Sequence, residues 1–204
     1  MSPSSRVEEV AERSLLVRQA LATARELHEG TVRDVGDDVP FIEHPLAVAE
    51  LLAEHRMEDQ VIAAGLLHDM LEYTPLGLGA LRERFGMKVA MIVCALTEDF
   101  EIDDYEARKR ELRSRVAATG IEAQRVFAAD KIANVIEARD DYVLLQEDLD
   151  AGLLVDLDHQ ILVWEYDMEM LLEVDEHEPL FKLLPEELIG LWDQRCAQMR
   201  ADSA

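Results

Sequence analysis

The sequence predicts an all-α fold, and three observations carry that reading. Apolar residues recur at three- and four-residue spacing along most of the 204-residue chain, which is the period of one helix face. No alternating run of apolar and polar residues bounded by turn residues reads as a strand. Hydrophobic residues make up 49% and charged residues 31% of the chain, enough for a core and unlike disordered, collagen-like or disulfide-dense sequences.

Each element follows from the same rules. Val7, Val10, Leu15, Leu16, Ala20, Leu21, Ala24 and Leu27 predict one helix over 7–29, stopped by Gly30. Pro45 suits the first position of a helix over 45–55. Glu58 and Asp59 complement the dipole of a helix over 58–73. A short helix over 78–85 ends at Gly86, and an apolar one over 87–97 follows, in which Cys94 reads as a small core residue. Thr119-Gly120 separates helices over 104–118 and 121–141. The tail, 146–204, predicts two or three amphipathic helices broken around Pro179 and Pro185. With no linker and no internal repeat, the chain reads as one domain over 1–204, with a motif-bearing core over about 20–145 and a C-terminal acidic extension over about 146–204.

Charge narrows the partners. The chain carries 20 Lys and Arg against 44 Asp and Glu, a formal charge of −24. A field of that sign repels nucleic-acid phosphates and anionic lipid, so neither is expected to bind. A small phosphorylated ligand would need a local cluster of cations. Residues 1–139 hold 17 of the 20 basic residues, whereas 140–204 hold 3 basic and 18 acidic ones. Arg108, Lys109, Arg110, Arg113 and Arg115 form the densest basic group; the competing reading is a solvated helix face paired with Glu106 and Glu111. Cys94 and Cys196 show no C-x-x-C spacing, so no zinc ribbon or redox pair is expected. The N-terminal stretch lacks a signal-peptide apolar run, and no apolar run of 18 residues occurs, so a cytoplasmic location is expected.

Function is read from polar residues placed where a helix should be dry. Val61 to Leu71 is apolar on every face except for His68-Asp69. A helix apolar all round is buried, and a buried carboxylate costs several kcal/mol unless it is paired or bound to a metal. Glu72 lies four residues after His68, on the same face. Asp130 sits on the apolar stripe of Val126, Phe127, Ala133 and Asn134, and His44 stands among Phe41, Ile42 and Leu46 before a helix. One divalent cation would satisfy His44, His68, Asp69 and Asp130 together. Mixed imidazole and carboxylate donors suit Mn²⁺, Fe²⁺ or Zn²⁺ better than Ca²⁺. An octahedral ion would keep room for an activated water. His55, His159 and His177 read as ordinary hydrogen-bonded or solvated histidines.

The ordered set His44, His68-Asp69 and Asp130 resembles the HD superfamily of metal-dependent phosphohydrolases. It is most similar to the hydrolase domain of RelA/SpoT proteins and to single-domain small alarmone hydrolases. The resemblance covers about residues 20–140 and rests on Ala24-Arg-Glu-Leu-His28, Arg33, Pro40-Phe-Ile-Glu-His44-Pro45, Ala63-Ala-Gly-Leu-Leu-His-Asp-Met-Leu-Glu72, Leu81 to Gly86, Val89 to Thr97 and Ala129-Asp130-Lys131-Ile-Ala-Asn134. It implies an all-α bundle with a metal site in its core, usually Mn²⁺, removing pyrophosphate from the 3′ position of ppGpp and pppGpp. It implies His44, His68, Asp69 and Asp130 as ligands and Glu72 as the group that orients or deprotonates water. Arg33 would lie along the guanine or near a phosphate, Asn134 would contact the nucleotide, and Lys131 and the basic pair Arg108 and Lys109 are further contacts. The family's acidic pair is replaced by Glu72-Tyr73, its loop Gln gives way to Thr31 nearby, the loop 33–39 is about two residues long against the family pattern and unusually acidic, and a Lys before Ala129-Asp130 is lost. Tyr73, placed to stack on a base, therefore points to two alternatives: hydrolysis of another nucleotide or phosphate ester, or a weakly active nucleotide-binding regulator. Trp164, Tyr166, Met168, Met170, Leu171 and Leu172 would pack on the domain or form a homodimer face.

Overall fold

The structure, a computed structural model, describes residues 5–33, 39–140 and 157–202. Helices α1 (Arg6–Arg13), α2 (Leu15–Leu27), α3 (Glu43–Glu54), α4 (Asp59–Leu67) and α5 (Met70–Tyr73) lead into α6 (Leu78–Phe85), α7 (Met87–Leu96), α8 (Tyr105–Thr119) and α9 (Ile121–Asp140), then α10 (Leu157–Val174) and α11 (Leu183–Asp202). Among the described residues the β content is an isolated antiparallel bridge between Val32 and Pro40. The acidic part of the loop, Asp34 to Asp38, and residues 141–156 lie outside the described residues.

Two helices form the centre. Every residue from Val61 to Leu67 is buried, so α4 packs on all sides, against α2, α3, α7 and α9. The longer α9 lies against α3, α4, α7, α8, α10 and α11. It therefore buries Val126, Phe127, Ala129, Ile132 and Val135 around its whole circumference. A helix covered on all faces carries polar side chains only where something inside meets them. Gly65 lets α4 approach α3, since a Cβ there would lie 2.5 Å from Leu52 Cδ1.

Local chemistry revises four of the sequence expectations. The segment 7–29 is broken, not continuous: Ser14 turns to extended backbone at φ −116° and ψ 115°, and its Oγ accepts from Val17 N to cap α2. The segment 58–73 tightens at His68-Asp69, which divides α4 from α5. Pro185 does not break the tail; it stands in the first turn of α11, where no helical partner for its missing N–H is needed, and the turn between α10 and α11 carries Pro179 instead. Cys94 is half-buried, and its carbonyl accepts from Arg115 at 3.0 Å. The tail closes on the bundle. Leu157, Ile161, Trp164 and Leu171 join the main apolar cluster, with Met168, Met170 and Leu172 packed against it and Tyr166 exposed.

Candidate metal centre

Three parts of the fold bring the polar residues to one point. His44 enters in the first turn of α3, His68 and Asp69 occupy the tight turn between α4 and α5, and Asp130 projects from the middle of α9. His44 Nε2 lies 3.2 Å from His68 Nε2 and 3.1 Å from Asp130 Oδ1. His68 Nε2 lies 3.1 Å from Asp69 Oδ1 and 3.7 Å from Asp130 Oδ1. Donor atoms of His44, His68 and Asp130 all fall within 4.8 Å of one another, close enough to share one cation. Asp69 borders them, with Oδ2 4.0 Å from His44 Nε2.

Helix geometry orients the donors. His68 Nδ1–H donates to the Gly65 carbonyl at 2.8 Å, which turns the Nε2 lone pair into the cluster, the second-sphere arrangement that metal-bound imidazoles use. Asp130 receives Asn134 Nδ2 at 2.7 Å on Oδ1 and Lys131 Nζ at 2.8 Å on Oδ2. Burial opposes charge on His68, but the Asp69 and Asp130 carboxylates outweigh it and raise its pKa well above the usual range. Burial likewise pushes Asp130 up, and the Lys131 charge and the two imidazoles hold it well below the usual carboxylate range. Two imidazole nitrogens 3.2 Å apart facing the buried Asp130 and the partly buried Asp69 carboxylates therefore need positive charge between them. The donor set fits a divalent cation.

A cavity of about 530 Å³ opens beside the cluster. Glu72 lines it from α5, and its Oε1 accepts from Glu98 N at 2.6 Å. Burial pushes the Glu72 carboxyl up to about 7; the Asp69 and Glu98 charges add to the shift and the Glu98 N–H opposes it. Tyr73 sits at the exposed rim, its ring 5.1 Å from that of Phe41. Burial of its hydroxyl raises the phenol to about 12, so it stays neutral near pH 7. Arg33 reaches across the mouth to Glu137 at 2.8 Å and to Asn134 Oδ1 at 3.3 Å.

The remaining sequence candidates divide. Lys131 is buried and pairs with Asp130 at the cavity wall. Lys109 lines the cavity, but Arg108 stands behind its wall, with Nε on Glu98 Oε2 at 2.8 Å. Only Arg115 takes the expected partner, Glu111, at 2.8 Å; Arg108 and Lys109 both turn to Glu98, and Arg113 pairs with Asp167 at 3.0 Å. Sequence reasoning missed Glu98, Phe41 as a wall, and His28. His28 is buried, stacks on Phe41 at 4.4 Å, and leaves Nε2 without a partner in the structure. Its signal was available: it continues the stripe of Ala20 and Ala24 by one further turn. Gln160 and Trp164 of the tail also line the cavity, and no local pattern marks them.

A model of the HD domain family matches residues 20–137. The chain belongs to the HD domain family. Within that domain it is 36% identical over 105 residues to the bifunctional (p)ppGpp synthase/hydrolase SpoT of Escherichia coli K12, covering 50% of this chain and 15% of that protein. It is 39% identical over 88 residues to a guanosine-3′,5′-bis(diphosphate) 3′-pyrophosphohydrolase of Haemophilus influenzae, covering 43% of this chain and 12% of that one. The chain thus spans a small part of the length of these curated relatives. A solved metazoan ortholog of SpoT, described as hydrolysing ppGpp, shares the HD-domain fold at a TM-score of 0.67 and 21% identity, over 96% of this chain and 98% of that one. A Listeria monocytogenes structure matches at a TM-score of 0.60 and 25% identity, over 76% of this chain and 96% of that one. No helix among the described residues is long and apolar enough to cross a membrane.

Proposed function

We propose that this HD domain is a metal-dependent nucleotide phosphohydrolase of the (p)ppGpp 3′-pyrophosphohydrolase type. The observation that carries the reading is the convergence of His44, His68 and Asp130, from three separate elements, at the wall of a ligand-sized cavity. The similarity to SpoT and to the pyrophosphohydrolase supports the substrate class.

In this reading His44, His68, Asp69 and Asp130 hold one divalent cation, Mn²⁺ first and Fe²⁺ or Zn²⁺ as alternatives. A cation held there would lower the pKa of a water bound to it and would neutralise charge on phosphate oxygens. Glu72 receives the proton of the attacking water; a carboxyl near 7 is matched to that task at neutral pH. The Glu98 N–H fixes one Glu72 oxygen, which leaves the other for the water. Water oxygen bonds to phosphorus, the ester or anhydride P–O bond breaks, and the leaving oxygen takes a proton. Arg33 and Phe41 flank the mouth where a base would lie, the guanidinium 5.9 Å from the ring centre, and Asn134 and Lys131 hold Asp130 while facing the ligand. The −24 charge disfavours nucleic acid and anionic membranes as partners. The chain is read as one domain, since α10 and α11 share the main apolar cluster, and a cytoplasmic location belongs to the same proposal.

A second reading, hydrolysis of a different nucleotide or phosphate ester, is favoured by Tyr73 at the rim. The deciding experiment measures bound metal and Mn²⁺-dependent pyrophosphate release from ppGpp, on wild type and on Asp69→Ala. Bound metal with Asp69-dependent release is the expected result. Bound metal with faster turnover of simple nucleotides than of ppGpp moves the function to the second reading. No bound metal overturns both.

A further inference from the structure

Two buried groups of opposite charge behind the donor cluster are each only partly satisfied. Lys131 Nζ donates to Asp130 Oδ2 at 2.8 Å and lies 4.8 Å from the centre of the Phe127 ring; its other N–H groups have no hydrogen-bond partner among the described residues. Asp167, on α10, is 2% exposed. Its Oδ1 accepts from Arg113 at 3.0 Å, and its Oδ2 has no hydrogen-bond partner among the described residues. Asp167 continues by one turn the α10 stripe of Gln160 and Trp164 that lines the cavity, and Lys131 lines the same cavity from α9. Each group acts on the other. Burial opposes the Lys131 charge, but the Asp130 carboxylate and then the Asp167 carboxylate outweigh it and raise its pKa. Burial likewise pushes the Asp167 carboxyl up, with the Lys131 charge and then Arg113 opposing it.

We infer that Asp167 is a positioning residue of the metal centre, the second counter-charge of Lys131, which frees Asp130 to serve the cation. The inference rests on the reading of the cluster as a metal site. A carboxylate that holds an ammonium on one oxygen and donates to a divalent cation with the other is shared between two positive charges. An ammonium buried there without a further anion would compete with the cation for Asp130. Asp167 supplies that anion from the C-terminal extension, whereas the four donors all lie between residues 44 and 130. Groups that act on a metal through one of its ligands change affinity by about 10–100-fold. A merely structural Asp167 would tie α10 to α8 through Arg113 and leave metal affinity untouched.

The test is calorimetric titration of Mn²⁺ into the metal-free full chain at neutral pH and fixed ionic strength, with thermal unfolding of the same samples. Asp167→Asn is expected to bind Mn²⁺ about tenfold more weakly than wild type, and Asp167→Glu within about threefold of it. Two further variants separate charge from packing. Glu169→Gln removes an exposed charge from the same helix, and Leu171→Ala removes buried packing one turn beyond Asp167. Both are expected to bind Mn²⁺ within about threefold of wild type, although Leu171→Ala unfolds at a lower temperature. Unchanged affinity in Asp167→Asn, or an equal loss in Asp167→Glu, Glu169→Gln or Leu171→Ala, overturns the assignment of Asp167 alone. Should Asp167→Asn not fold, Asp167→Ser takes its place with the same expected loss. No Mn²⁺ bound by wild type overturns the metal reading and the inference together.

Discussion

In the proposed mechanism Glu72 would serve chemistry at a cost to stability. Its carboxyl is raised from 4.5 to about 7 in the fold, so between those values the native state binds more protons than the unfolded one. Stability is therefore fullest below pH 4.5 and falls as pH rises to about 7, by roughly 2 kcal/mol once solvent screening is allowed for. Glu72→Gln should melt higher than wild type at pH 8 and equally at pH 4, in metal-free buffer. The same substitution should lower kcat by about 10²–10⁴-fold, and wild-type kcat/KM should rise with pH through about 7. A Gln variant with near wild-type kcat would take Glu72 out of the proton path. Legibility at this scale was uneven. His44, His68, Asp69 and Asp130 stood out because each interrupts an apolar pattern, whereas Glu98 sits at the end of α7 among polar neighbours and acquires meaning only from Lys109 and Arg108.

Among elements, the α3–α4 contact positions two of the donor residues, His44 in the first turn of α3 and His68 just past the end of α4. Gly65 sets that contact. In Gly65→Ala the new methyl would meet Leu52 Cδ1 at 2.5 Å, so α4 must shift or Leu52 must leave its rotamer. Overpacking of this kind costs about 1–3 kcal/mol, against a helix-propensity gain of about 1 kcal/mol. Thermal unfolding should show a net loss, with weaker Mn²⁺ binding because the Gly65 carbonyl also orients His68. A melting temperature at or above wild type would mean that the contact is slack. Helix existence was legible for nearly every segment. The divisions at Ser14 and His68-Asp69 were not, because the residues on either side keep the same apolar period while the break resides in backbone angles and a single cap.

For the whole molecule, binding and net charge act in opposite directions. Positive charge delivered to the donor cluster relieves the repulsion of Asp69 and Asp130 while folding holds them together. Mn²⁺ at about 100 times its dissociation constant should stabilise the fold by about 2.7 kcal/mol, and Asp130→Ala should abolish that gain. An unchanged unfolding transition on adding Mn²⁺ to wild type would argue against a resident ion. The formal charge of −24 also predicts self-repulsion that salt screens. Raising NaCl from about 0.05 to about 0.5 M should raise the melting temperature in the metal-free protein. A fall would show that ion pairs such as Arg113 with Asp167 outweigh the net field.

The sequence by itself determined the helical class, the core segments and the set of histidines and carboxylates that must meet, because helical period and the cost of burying an unpaired polar group are both visible along one dimension. Tertiary structure alone decided who partners whom. Arg33 meets Glu137 104 positions on, Lys109 and Arg108 meet Glu98, Arg113 meets Asp167, and Gln160 and Trp164 of the tail close the cavity. Those pairings depend on which helices cross and at what depth, a property of packed volumes that no local spacing encodes.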